Sequence, residues 1–225
     1  MDRQLGDITA RVPTLEPGVT VVYADERSTA HHQLVLATLQ EHRGPAIWID
    51  AGDTASTYAL YELTSNPRIL DGLSIARAWT AYQHHTLIRQ SVERANARTR
   101  LLVVPNVHTL YQVEDVPSDE GDWLLSASLT ILGELARSLS IPVLLTCPTR
   151  ATLPDGAAVD HEFEWERTAE GDTFVGADGQ STIYRGAWWW QTPIPYWVEL
   201  FGARDEQRWT PAEPTMTAEP AILEY

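Results

Sequence analysis

Leu101-Leu102-Val103-Val104-Pro105 is the stretch on which the fold turns. Four apolar residues in a row leave no alternate polar position, which is what a strand buried on both faces of a parallel sheet requires. Proline cannot donate to a strand ladder, so the strand ends at Val104. Working outward toward the N-terminus, Leu73–Ala78, Ala46–Ile49 and Val19–Ala24 read as further strands. Between them Ala30–Glu41 has helical periodicity through Leu34, Leu36 and Leu39, and Ala81–Ala97 offers an apolar face of Leu87, Ile88, Val92 and Ala95. Asp50-Ala51-Gly52-Asp53 reads as a loop, with Asp50 as a polar strand end and Asp53 with Thr54 as a helix N-cap. Toward the C-terminus follow a long helix at Asp119–Leu139 and a buried strand at Ile141–Thr146.

Strands alternating with helices predict an α/β fold, a mainly parallel doubly wound sheet with ligands beyond the carboxyl ends of its strands. After Pro148 the segments His161–Arg167, Thr173–Val175 and Ser181–Arg185 are short, β-like and separated by glycines, which predicts an antiparallel C-terminal extension. The chain divides into a lead-in segment (1–17), one domain (18–202) and an acidic tail (203–225) rich in proline, expected to be flexible.

The chain has no lysine: 16 arginines face 31 carboxylates, for a net charge of −15. Such a balance disfavours direct binding of DNA, RNA or an anionic membrane, which needs clustered cations. A lysine-free acidic surface also fits a halophilic type of protein working in molar salt, where charges are screened within about 3 Å. One cysteine, Cys147, excludes an internal disulfide and a cysteine-based zinc site, and reads as a buried strand-end residue. No apolar signal core and no membrane-length run occur, so a soluble, cytoplasmic protein is expected.

Taken in order, the strand ends Gly18-Val19-Thr20-Val21-Val22-Tyr23, Ile47-Trp48-Ile49-Asp50, Ile75-Ala76-Arg77-Ala78-Trp79-Thr80 and Leu101–Val104 resemble the core of RecA/RadA-type recombinases and their RadB and KaiC-like relatives. Ala76-Arg77-Ala78-Trp79-Thr80-Ala81-Tyr82-Gln83-His84-His85 is similar to the family's A-R-A-F-T-x-x-Q junction. The resemblance covers roughly residues 15–150 and implies a P-loop-type nucleotide site. That site is degenerate here. Where the family has G-x-x-x-x-G-K-T, this chain has Ala24-Asp25-Glu26-Arg27-Ser28-Thr29-Ala30-His31. Both glycines are missing, Ala30 stands at the lysine position and His31 at the magnesium-binding hydroxyl. Pro105 replaces the acidic residue that ends the central strand, and Gly52 falls where a glutamate would polarise the attacking water. The resemblance therefore implies a pseudo-ATPase with no catalytic residues and no cofactor. It implies an interaction or regulatory subunit whose partner is a recombinase or other repair ATPase, in DNA recombination or repair. Self-association is open, whereas filament formation is not expected because no aromatic polymerisation motif precedes Gly18.

Alternatively, the fold is kept and the site rebuilt for a small molecule or metal from Arg27, His31, Asp50 and His84. Histidines from the pairs His31-His32 and His84-His85 could meet Asp25 or Asp50 near the strand ends. Uncoordinated surface or cap-adjacent histidines are the simpler reading, and no metal is assigned. Ser74, Ser126 and Cys147 lack the motifs of activated nucleophiles, and Glu162 with Glu164 reads as a solvated strand face. The aromatic run Trp188, Trp189, Trp190, Tyr196 and Trp197 is either a strand packed on the sheet or a docking patch for a partner. The apolar-acidic end Ala218–Tyr225 reads as a linear motif or a solvated terminus.

Overall fold

The computed structural model describes residues 12–64, 66–168, 171–177, 179–185 and 190–191. The candidate docking residues Trp188, Trp189, Tyr196 and Trp197, the side chain of Trp190, and the tail 203–225 lie outside that description.

The strands are β1 (Gly18–Tyr23), β2 (Ala46–Ala51), β3 (Leu73–Ala78), β4 (Leu101–Val104), β5 (Pro142–Cys147), β6 (His161–Arg167), β7 (Gly171–Gly176), β8 (Gly179–Arg185) and β9 (Trp190–Gln191). The helices are α1 (Ala30–Glu41), α2 (Thr57–Leu63), α3 (Ala81–Arg94) and α4 (Ser118–Leu139). One sheet runs in the order β3-β2-β4-β5-β1-β6-β7-β8-β9. Every pairing from β3 to β6 is parallel, and those from β6 to β9 are antiparallel. The antiparallel extension thus begins one strand later than expected. β6 lies parallel to β1 from Thr20↔His161 to Tyr23↔Glu164, because residues 148–160 carry the chain from the carboxyl end of β5 back to the sheet's other end.

Period-two alternation divides the interior into two layers. Val19, Val21, Ile49, Leu102, Val104, Val143 and Leu145 face α3 and α4 through Ile88, Leu124, Leu125, Leu129 and Leu132. Val22, Trp48, Leu101, Val103 and Leu144 face α1 and α2 through Leu34, Val35, Leu39 and Leu60. Each fully buried aliphatic side chain contributes about 1.5–3 kcal/mol of transfer free energy. α1 is buried along its whole length from Ala30 to Leu39, since its outer side is covered by Leu60, Ile69, Phe174 and two residues of the lead-in segment, Val12 and Leu15. That segment is therefore in part core.

Three readings of the sequence need correction. The buried stripe of α3 is Ala81, His84, Ile88 and Ser91, continued by Ala95 beyond its C-terminus, whereas Val92 is half exposed; a helix against a sheet shows its a/d-like stripe, and Val92 falls outside it. Asp50 and Ala51 belong to β2 rather than to the loop. α2 begins at Thr57, capped by Ser56 Oγ accepting from Ala59 N, so Asp53 and Thr54 cap nothing. Gly52 and Asp53 instead take left-handed φ values of +74° and +66°, which reverse the chain at the end of β2.

Candidate functional site

At the carboxyl end of β1 the chain enters the loop that a phosphate-binding protein would leave open. Here several of its polar groups are consumed internally. Ala24 N donates to Cys147 O at 3.0 Å, tying the loop to β5. Asp25 folds the turn: its Oδ1 accepts from Arg27 N at 3.0 Å and its carbonyl from Ser28 N at 2.8 Å. Ser28 Oγ then accepts from Ala30 N at 3.0 Å, and Thr29 O accepts from His32 N at 3.1 Å. Two amides of the first turn of α1, the natural cradle for an anion, those of Ala30 and His32, are thus already satisfied.

The loop after β4 closes the site from the opposite side. Asn106, at φ +49°, donates from Nδ2 to Glu26 O at 3.0 Å, and His108 Nε2 lies 3.3 Å from Glu26 Oε1. Asn106 is itself fixed by Thr146 on β5, whose Oγ1 accepts from Asn106 N at 2.8 Å and donates to Asn106 Oδ1 at 3.2 Å. Burial lowers the pKa of His108 against the opposing pull of Glu26. Glu26 is thereby held in place next to Asp25, so the loop after β1 carries two adjacent exposed carboxylates. Arg27 is exposed and is the loop's only cation.

Asp50, fully buried, organises the neighbouring strand end rather than a ligand. Its Oδ1 accepts from Thr54 N at 2.9 Å, from Ala55 N at 3.0 Å and from the Thr54 hydroxyl. Its Oδ2 lies 3.4 Å from Arg77 Nε, while Arg77 also pairs with Asp53 at 3.1 Å and donates to Ala55 O at 2.9 Å. The carboxylate is a staple between β2, β3 and the intervening turn.

The four residues proposed for a rebuilt pocket are not brought together. His31 and His32, in the first turn of α1, are buried rather than on the surface, their rings 4.3 Å apart and each packed on Trp48 at 5.3 and 5.4 Å. Burial lowers the pKa of His31 and takes that of His32 down to about 4, with Thr29 and Asp50 opposing the latter. His31 Nε2, both nitrogens of His32 and Trp48 Nε1 are buried without a hydrogen-bond partner. His84 lies in the other layer, with Nδ1 2.8 Å from Tyr111 OH; that hydroxyl is 2.9 Å from Ser128 Oγ, which His85 Nδ1 also reaches at 2.9 Å. Gly121 permits this network. A Cβ there would lie 2.1 Å from Tyr111 O, so only glycine lets the loop carrying Tyr111 rest on α4. Burial takes His84 down to about 4 and Tyr111 up to about 12. Ser128 is inside the protein, out of a substrate's reach. The two pairs are thus separated by the sheet, and among the described residues no group of three or more histidines, cysteines or carboxylates could hold a metal.

Cys147 is buried, and burial raises its thiol to about 12, so it is an unreactive core residue. Glu162 and Glu164 do share the exposed face of β6, where Glu162 accepts from Tyr23 OH at 2.6 Å and meets Arg150 at 3.6 Å.

Open space lies elsewhere. A groove of about 290 Å³ runs between α3 and the sheet margin formed by β2 and β3, its sheet side lined by Ile47, Ile49, Ser74 and Ala76 and its α3 side by Leu87, Gln90 and Arg94. Nothing in the sequence marked it, because its walls come from three elements and its character depends on β3 having no outer neighbour among the described residues. Fold and loops together define an α/β protein with a parallel core and a stitched loop after its first strand. No known family model matches this chain, and no curated protein sequence does. No helix among the described residues is long and apolar enough to cross a membrane.

Proposed function

We propose that this chain is a RecA/RadA-like core without nucleotide chemistry, serving as an interaction subunit for an active ATPase of DNA recombination or repair. The observation that carries the reading is the closure of the loop after β1 by Asn106 and His108, which hold Glu26 in the loop where the resemblance implies a phosphate site. A chain with no lysine has no amine to place on β/γ-phosphates. Two further features support a role in association. β3 is an edge strand among the described residues, where a partner strand could pair, and the groove beside it offers an apolar socket next to that edge. The resemblance implies association through the sides of such cores.

The test is isolation of the tagged full chain from its native cells at native salt, alongside Ser74→Trp. Ser74 is exposed on β3 and lines the groove, so the substitution fills the socket without touching the core. The reading expects a recombinase-class ATPase with wild type and its loss with Ser74→Trp. Recovery of the protein alone, or equal recovery with both, overturns it.

A further inference from the structure

We propose that the N-terminal ends of α3 and α4 form a docking face for an arginine-bearing segment of a partner protein. Two independent features meet there. The first is exposed aromatic surface: Trp79 is 61% exposed, Tyr82 52% and Trp123 65%. Tyr82 and His85 stand one turn apart on α3, Glu120 and Trp123 one turn apart on α4. Cross-contacts hold the two rows together, Tyr82 OH donating to Glu120 and the His85 ring lying 6.2 Å from that of Trp123. Trp79 precedes the same helix end, its amide donating to Gln83 Oε1 at 2.9 Å.

The second feature is unbalanced charge. From Leu101 to Ala136 the sequence has no arginine, yet Glu114, Asp115, Asp119, Glu120 and Asp122 fall within nine residues, all exposed. Several carboxylates elsewhere are paired: Asp50 and Asp53 with Arg77, Glu162 with Arg150, Asp172 with Arg167 and Glu134 with Arg137. Among the described residues Glu114, Asp115, Asp119 and Asp122 have no ion pair. Asp119 and Glu120 also face the N-terminal dipole of α4, which accounts for those two; Glu114, Asp115 and Asp122 have no such role. The cation that acts on this face, Arg89, bears on His85 one turn further along α3.

Indole and phenol faces attract cations through their ring quadrupoles, and carboxylates at the rim supply the countercharge. A guanidinium suits both, because its plane stacks on an aromatic ring while its edge donates in pairs to a carboxylate; a lysine ammonium is better hydrated and does neither as well. Nucleic acid is repelled by the same carboxylates, which leaves a cationic protein segment as the occupant.

The test is fluorescence anisotropy of labelled hexa-arginine, hexa-lysine and hexa-glutamate peptides titrated with the full chain at low and at molar salt, with folding checked by circular dichroism. Hexa-arginine is expected to bind tightest, hexa-lysine several-fold more weakly and hexa-glutamate not at all. Trp123→Ala should weaken hexa-arginine binding about threefold and the Tyr82→Ala/Trp123→Ala pair about tenfold, whereas Tyr58→Ala, an equally exposed aromatic on α2, should leave it unchanged. Equal binding by wild type and the double variant, or equal affinity for arginine and lysine peptides, overturns the proposal in favour of diffuse acidic attraction. Self-association of the wild type that is lost with Trp123→Ala, read by sedimentation, overturns it in favour of a second copy. None of these outcomes depends on whether nucleotide is bound.

Discussion

The carboxyl end of the parallel sheet and the groove beside its edge strand are built in opposite ways. At the carboxyl end, loops 80 or more residues apart in sequence stitch each other shut through Glu26, Asn106 and His108, with Thr146 of β5 fixing Asn106. Along the edge, Ile47, Ile49, Ile75 and Leu87 line a groove that nothing in the described chain fills. An α/β fold ordinarily keeps its ligand space at the strand ends. Here that space is spent on internal hydrogen bonds, and the unspent surface is apolar and lateral. The difference favours association over small-molecule chemistry.

If the closed end is a structural plug, perturbing what lies beneath it should be costly, and pH should do so most. Burial depresses His31, His32 and His84 in the folded chain, the last two to about 4 from the usual 6.5. The unfolded chain therefore binds protons first as pH falls. Stability is full above about pH 6.5 and declines toward pH 4, by about 1.4 kcal/mol per pH unit for each histidine in that window. Urea midpoints measured from pH 7.5 downward should show the slope, and His32→Gln should reduce it; a flat profile would mean that the imidazoles are solvated and the plug is loose.

Next in size is Asp50→Ala. It leaves Ala55 N buried without its acceptor and strips Arg77 of one of two carboxylates, at a cost of about 3 kcal/mol by urea unfolding. A loss below about 1 kcal/mol would show that the β2 end is not held as described. The cap of α3 should matter less. Thr80 Oγ1 accepts from Gln83 N at the start of α3, and Thr80→Ala should cost about 1 kcal/mol. The smallest effect belongs to Glu26→Gln. Its side chain is half exposed at 52%, so losing the contact with His108 should cost under about 0.5 kcal/mol. Thermal melts would resolve these last two, and a large loss for Glu26→Gln would make the pair a main support of the fold.

Much of the architecture was legible because it is written in local pattern. Leu101–Val104 and Leu73–Ala78 appear as strands with the predicted bounds, and α1 spans Ala30–Glu41 as its periodicity implied. α2 escaped notice because a seven-residue helix with Leu60 as its one buried residue carries almost no period. The site was harder to read for a different reason. Set against the resemblance, Ala24, Ala30, His31, Gly52 and Pro105 name the groups expected there, but not what stands in their place. The contact of Asn106 with Glu26 spans 80 residues, and the burial of His31 and His32 follows from Leu60, Ile69 and Phe174 covering α1, long-range facts with no local signature. Asp50 illustrates the same limit: a carboxylate after apolar residues looks like a strand end, and only tertiary structure reveals the arginine and amides that let it be buried.

The most direct test of the central claim is equilibrium titration of the full-length protein with a fluorescent ATP analogue and magnesium at native salt, with phosphate release followed in parallel. A loop closed by its own side chains predicts no saturable binding even at millimolar analogue and no phosphate release above background. Saturable binding that weakens with Arg27→Ala, or turnover of any kind, would contradict it.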